Sequence, residues 1–429
     1  MTPSTSPPPA SAAALVDAEA GTRPAPVATP VRGRLASWLL GIGLVLVALN
    51  LRPLFSSLSP VLPEIMVGLS ISPAVASLMT TLPVLCLGLF APTAPVLAQR
   101  FGAERTILVL LVLIALGTAL RGLATLPALL AGSAFAGAGI AVVNVLLPGL
   151  IKRDFPRLTG LMTGLYTTAI CAGGAAGAGL TVPLESHVAG GWPGALALWA
   201  VPTIVVALLW LPQAIAAGPA LPGVRLGMGA LWRDPLAWQV TLVMGLQSAM
   251  AYCVFGWLAP LLRERGLDAA TAGYAVSATI AAQMVACLLV PSIAVRQRDQ
   301  RAIGILIVAA AALGFIAVAT GPLAGLWVFV AIQGLGQGGA LAIAMMLIIL
   351  RAPDSRVAAH LSGMAQSVGY TLAAVGPLLI GLIRQWTGGF GATIWLFGAI
   401  GLGCAAAMLG AGRRKHVLTG TEGGATEPG

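Results

Sequence analysis

Between residues 37 and 411 the sequence is divided by short polar connections into twelve apolar runs. Each is roughly the 20 residues that a helix needs to cross a bilayer. The runs read 37–61, 73–98, 106–124, 127–150, 159–183, 193–211, 236–262, 272–295, 302–320, 325–350, 361–383 and 391–411. Backbone amides in hydrocarbon must be satisfied internally, so runs of this length predict an all-α integral membrane chain and do not fit a β-barrel. Only 8% of the residues are charged, against about 25% in a soluble domain. That is too few to cover a water-facing surface. The longest internal connection, 212–235, splits the runs six and six. The expected organisation is a disordered cytoplasmic tail at 1–34, a six-helix bundle at 35–211, a cytoplasmic linker at 212–235, a second six-helix bundle at 236–411 and a cytoplasmic tail at 412–429. The first run begins too late, and is too long, for a cleavable leader.

A net charge of +10 could suit nucleic acid, but its placement argues for topology. With the N-terminus inside, eighteen of the 23 Lys and Arg residues fall in inner segments, the positive-inside pattern. The expectation is a multi-pass protein of the cell (inner) membrane, with the lipid bilayer around it, both termini cytoplasmic and no nucleic-acid partner. The five cysteines lie inside apolar runs with no CxxC pair and read as small core residues. The halves repeat weakly, in the same order. Leu58-Ser-Pro-Val-Leu62 returns as Leu258-Ala-Pro-Leu-Leu262, Pro95-Val-Leu-Ala-Gln-Arg100 as Pro291-Ser-Ile-Ala-Val-Arg296, and Thr159-Gly-Leu-Met162 as Ser362-Gly-Met-Ala365. A parallel repeat about an axis normal to the membrane places a solute site at the midplane between halves.

All 13 acidic residues, and all 3 histidines, fall in tails, loops or run ends. That leaves no cluster for a metal site or acid–base catalysis, so neither enzyme nor cofactor is expected. A proton relay and a site for cationic drugs lose support for the same reason. Arg52, in Leu49-Asn-Leu-Arg-Pro53, is read as the one ionisable residue deep in a run. A guanidinium at the helix centre costs at least ~2.5–3.5 kcal/mol on insertion scales. Its planar fork suits a carboxylate or another small planar anion. Pro53 removes a helical hydrogen bond and crowds the Leu49 carbonyl. Ser56 and Ser59 follow Arg52 on the same helix face. The competing reading is that Arg52 snorkels outward or pairs with Glu64. Arg121, near the outer end of the third run, is expected to snorkel.

Uncharged polar residues recur at helical spacing. Gln247, Ser248, Tyr252 and Trp257 lie in run seven, Gln333 and Gln337 in run ten, Gln366, Ser367 and Tyr370 in run eleven, and Asn144, Thr163 and Tyr166 in runs four and five. Each reads either as a helix–helix hydrogen bond or as cavity lining. Glycines crowd runs five (Gly160, Gly164, Gly173, Gly174, Gly177, Gly179) and ten (Gly334, Gly336, Gly338, Gly339) and read as packing and sliding surfaces.

Three strings carry a family resemblance: Leu49-Asn-Leu-Arg-Pro53, the Pro148-Gly-Leu-Ile-Lys-Arg153 stretch leading to Gly160-Leu-Met-Thr-Gly164, and Leu361-Ser-Gly-Met-Ala-Gln-Ser-Val-Gly-Tyr370. Over about residues 36–411 the chain resembles the cyanate/2-nitroimidazole transporter branch (CynX/NimT type) of the major facilitator superfamily. It departs from the superfamily's loop signature between runs two and three, where Pro95 and Gln99 replace Gly and Asp while Arg100 and Gly102 remain. The resemblance implies twelve transmembrane helices in two parallel six-helix repeats, with spans one, four, seven and ten lining a cavity. It also implies monomeric transport of a small anionic or polar solute by alternating access. The candidate substrate-binding residues are then Arg52, Asn50, Ser56, Asn144, Tyr166, Gln247, Tyr252, Trp257, Gln337, Gln366, Ser367 and Tyr370. The alternatives are an exporter of neutral or weakly acidic antimicrobials such as nitroimidazoles, and a membrane receptor or scaffold, which would be expected to carry a soluble signalling domain.

Overall fold

Twelve helices long and apolar enough to cross a membrane make up the computed structural model: Trp38–Gly68, Pro73–Phe101, Ala103–Leu123, Leu126–Asp154, Leu161–His187, Trp192–Ala216, Pro235–Glu264, Ala269–Ala294, Arg301–Thr320, Leu323–Leu350, Val357–Thr387 and Thr393–Ala411. They are called spans one to twelve below. The structure describes residues 34–216, 231–294, 296–297, 299–353 and 355–417, and no strand occurs among the described residues. The expected tail at 1–34, apart from Arg34, and the outer part of the tail at 412–429 lie outside the described residues, as does most of the linker, 217–230. Leu39–Gly429 is one compact unit. Of the other, Met1–Trp38, only the first turn of the helix Arg34–Leu49 is described. All twelve expected spans are present, and several run longer than their apolar stretch. Span one continues past residue 61 to Gly68, because helix outlasts hydrocarbon wherever polar residues such as Glu64 reach water.

Starts of spans are chemically marked. Spans two and seven each open on a capped proline: Ser72 Oγ accepts from Val75 N (3.3 Å) ahead of Pro73, and Asp234 Oδ1 accepts from Leu236 N (2.7 Å) ahead of Pro235. A proline at the first turn loses no helical bond, since its missing N–H has no partner there anyway. Span seven is the most enclosed, with 83% of its apolar stretch buried, and span one follows at 67%, whereas span eight has 28%. Outward faces carry large exposed apolar side chains, among them Leu208, Leu306, Trp386, Trp395 and Leu402. An apolar belt of this extent suits lipid and not water.

Span one is broken. Its helices Arg34–Leu49, Pro53–Ser56 and Leu58–Gly68 leave Asn50–Arg52 unwound. Pro53 has no N–H to give the Leu49 carbonyl. That carbonyl lies against Gly173 of span five, where a Cβ would collide with it. One turn on, a Cβ at Gly177 would strike Ser56 Oγ and Pro53. Asn50 pins the break from the other side: its Nδ2 donates to Leu46 O (2.9 Å), and its Oδ1 accepts from Thr203 Oγ1 of span six (3.1 Å).

The side on which span one begins and span twelve ends is the near side; the other is the far side. Near-side bonds fasten each half internally. Gly102, at φ +86°, turns the chain between spans two and three, and the buried Glu104 that follows pairs with Arg153 at the end of span four. In the second half, Arg351 at the end of span ten donates to Gln300 Oε1 and to the backbone oxygens of Ala411 and Gly412. Asp299 beside them is held below the usual carboxylate range, first by the hydrogen bond from Arg301. Far-side bonds join the halves. Arg263 pairs with Glu64 and donates to Pro60 O (3.2 Å), and Ala74 N donates to Gln385 Oε1 (3.2 Å).

Gly173→Ala is expected to cost several kcal/mol, above the ~1–3 typical of overpacking because the obstacle is backbone. Gly164→Ala, with nothing within 4 Å of its Cβ position, is expected to be neutral. Thermal unfolding of the two purified variants in one detergent checks the contrast.

Candidate functional site

Unwinding at Asn50–Arg52 turns Arg52 into the interior, where a cavity is lined by Arg52, Gln247, Ser248, Ala251, Tyr252, Phe255, Gln283, Gln337, Leu341 and Tyr370. The guanidinium carbon stands 5.8 Å from the ring centre of Tyr252 and 5.2 Å from that of Phe255. Such cation–π contacts contribute about 0.5–2 kcal/mol each, the larger values when desolvated. Among the described residues the guanidinium makes no hydrogen bond and no ion pair. The anticipated partner Glu64 is taken by Arg263. The ionisable groups within electrostatic reach of Arg52 include Tyr252, Tyr370, Tyr166, Cys171 and Cys287, and two of the chain's four tyrosines, Tyr252 and Tyr370, line the cavity with it. Tyr252 occupies the position of Arg52 in the second repeat, one member of the pair supplying charge and the other a ring. An uncommitted cation in an enclosure of rings and amides is arranged to receive an anionic or strongly accepting group.

The amides of the second half are linked. Gln337 Nε2 donates to Gln247 O (2.9 Å), and Gln247 Nε2 donates to Ser248 Oγ (2.7 Å) and Met244 O (3.2 Å). A second, mostly apolar cavity lies on the far side of the first and shares Tyr252 and Phe255 with it.

Five of the twelve candidate residues line the first cavity: Arg52, Gln247, Tyr252, Gln337 and Tyr370. The others are placed elsewhere, each held by a bond. Asn50 holds the break from span six. Ser56 Oγ returns to Arg52 O (3.4 Å) against Gly177. Tyr166 donates to Asn144 Oδ1 (3.4 Å), a bond between spans four and five. Trp257 Nε1 donates to Pro377 O (3.1 Å), and Ser367 Oγ to Gly88 O across the halves (2.8 Å). Gln366 Nε2 donates to Ser362 Oγ one turn back (2.9 Å). In each case the nearest available acceptor lies on helix or backbone rather than on a solute. Among the glycines, Gly164 is also corrected: it faces open space instead of a packed helix.

Four lining residues escaped the sequence reading: Ala251, Phe255, Gln283 and Leu341. Gln283 of span eight is a polar residue in an apolar run, a signal that was available. Phe255 carries none, since an aromatic ring in a membrane span is unremarkable. Arg121 is a further correction: it does not snorkel. It is 1% exposed, and its Nη1 donates to Leu54 O (3.3 Å) just beyond the break, while its Nε has no partner. Arg121 is therefore more enclosed than the half-buried Arg52, and Arg351 is buried as well, at 3% exposure. Arg121 spends its charge on span one's loosened backbone, a use that a linear sequence does not display.

Gln283 Nε2 is buried without a partner at the cavity wall. Gln283→Leu removes an unsatisfied donor, so it is expected to leave the melting temperature unchanged or raised by a few degrees while solute affinity falls several-fold, at about 0.5–1.5 kcal/mol for one hydrogen bond. Melting and equilibrium binding on the same preparation check both.

Comparison with known proteins agrees with this frame. The sequence profile of the Major Facilitator Superfamily matches residues 40–369. The 2-nitroimidazole transporter of Escherichia coli (strain K12) is 38% identical over 378 residues, 87% of this chain and 95% of its own. The cyanate transport protein CynX of the same organism is 31% identical over 360 residues, 83% of this chain and 92% of its own. Among solved structures, the xylose transporter XylE from E. coli in its inward-open conformation has the same fold, with a TM-score of 0.71 at 12% identity, covering 90% of this chain and 98% of that one. Twelve spans in two parallel repeats and a profile match over most of the sequence lead to one assignment: this chain belongs to the Major Facilitator Superfamily.

Proposed function

We propose that the Arg52 cavity binds a small anion or a strongly polar planar solute, and that the bundles 35–211 and 236–411 carry it across the membrane by rocking about that site. The observation that carries this reading is the Arg52 guanidinium, facing the rings of Tyr252 and Phe255 with no hydrogen bond or ion pair among the described residues. A cation kept uncommitted inside a bundle is stabilised when an anion arrives, and a fork holds two oxygens at once. Relatives named for cyanate and 2-nitroimidazole support a solute of this size. We place the near side, with both termini, in the cytoplasm and the chain in the cell membrane as a monomer. The basic residues Arg100, Lys152, Arg153, Arg351 and Arg413 at near-side span ends support that orientation.

A second reading, export of neutral or weakly acidic antimicrobials, is favoured by the aromatic walls Tyr252, Phe255 and Tyr370, which fit a planar ring as well as an anion. Accumulation in cells with and without the gene separates the two, since uptake raises it and efflux lowers it.

Arg52→Ala is expected to abolish counterflow in liposomes, and Arg52→Lys to weaken affinity roughly 10–100-fold, the range of a charge-assisted bond of about 1.5–3 kcal/mol. Normal transport by Arg52→Ala would sink the proposal.

Counterflow of a solute that does not itself titrate is expected to stay flat from about one pH unit below to one above the usual histidine pKa of roughly 6.5. The cavity lining contains no carboxylate or imidazole, and arginine keeps its proton throughout this range. A steep profile with one proton moved per solute would contradict it.

A further inference from the structure

We infer that Gln337 selects for solutes that carry an N–H or O–H donor in addition to the group held by Arg52. The inference rests on the reading of the Arg52 cavity given above. Gln337 is 1% exposed and lines that cavity from span ten. Its amide cannot turn over. Nε2 donates to the backbone oxygen of Gln247 at 2.9 Å, and a carbonyl oxygen can only accept, so the nitrogen must stay on that side. Oε1 is thereby fixed as the acceptor, and it is buried with no partner. The neighbouring amide cannot serve it, because Gln247 Nε2 is committed to Ser248 Oγ and Met244 O.

A buried acceptor left without a hydrogen bond is destabilising. A site that keeps one is completed by a ligand that brings the missing hydrogen. The complementary solute is small and has two ends: an oxygen-bearing, anionic or nitro-like group for the guanidinium, and a donor for Gln337 Oε1. Ring N–H azoles and hydroxy acids satisfy both. A donor-free anion such as cyanate satisfies only Arg52 and turns an electron-rich surface toward Oε1. The unpartnered Gln283 Nε2 on the same wall adds a donor for a further acceptor on such a solute.

The test uses the purified full-length chain and three probes: 2-nitroimidazole, its 1-methyl derivative without the ring N–H, and its 4-methyl derivative with the same bulk as the 1-methyl compound and the N–H kept. Equilibrium binding is measured at a pH where the ring N–H is retained. The 4-methyl compound is expected to bind within about threefold of the parent and the 1-methyl compound at least about tenfold more weakly, the effect of one hydrogen bond to an otherwise unpaired group. In Gln337→Met, which keeps bulk without an acceptor, that gap is expected to close. Equal binding of all three probes, equal weakening by both methyl groups, or a gap that persists in Gln337→Met would overturn the inference. Equal binding of all three that disappears in Arg52→Gln would do so while leaving the cavity reading intact. If none of the probes binds the wild type, the inference falls, and binding of cyanate that is lost in Arg52→Gln then decides the cavity reading separately. Should Gln337→Met not fold, the wild-type contrast between the methyl isomers decides.

Discussion

A half-buried guanidinium that faces the interior of the bundle with no hydrogen bond or ion pair among the described residues is the constraint on which the interior of this molecule depends. Removing it from water is opposed by solvation energy of several kcal/mol even after relaxation. The structure meets that cost in three ways. The helix that carries Arg52 is unwound at Asn50–Arg52, which turns the side chain into a cavity and not toward lipid. Tyr252 and Phe255 offer their electron-rich faces to it. Span five presents Gly173 and Gly177 where the displaced backbone of span one needs space. Without the glycines the break has no room, and without the break the charge has no cavity.

Arg121 shows the opposite use of the same side chain. It lies deeper than Arg52, and its fork reaches backbone next to the broken segment. A bundle with an irregular helix at its centre has carbonyls to satisfy that an intact helix would satisfy itself. One arginine therefore stabilises the irregularity while the other is left available by it. The two differ in what lies in front of the guanidinium, which is protein for Arg121 and space for Arg52.

Much of this was legible in the sequence. Hydropathy is a one-dimensional signal, so the twelve spans and the six-plus-six repeat could be read directly, and Arg52 with Pro53 marked the centre of the site. The rest of the lining was not legible, because a polar residue in a span has two possible partners and spacing does not say which one it meets. Trp257 and Ser367 look like cavity residues by helical register, yet each finds a carbonyl on a neighbouring helix, at Pro377 and Gly88. Asn50 sits two residues from Arg52 but faces span six. Which carbonyls are available is a property of packed helices, decided where prolines free them and glycines expose them. Arg121 was misjudged for that reason: its partner, the carbonyl of Leu54, becomes available only beside the break.

The far-side closure rests on partly solvated charges. Arg263 and Glu64 remain 25% and 31% exposed at their side chains, a setting in which an ion pair contributes about 0–1 kcal/mol. Mobile ions screen such a pair over roughly 8 Å at physiological strength. A seam held this lightly is a balance and not a lock. Dissolved salt, with no contact to the cavity at all, becomes a dial on how long the chain keeps that side shut, and the ionic strength of a preparation helps choose which of its shapes an experimenter sees.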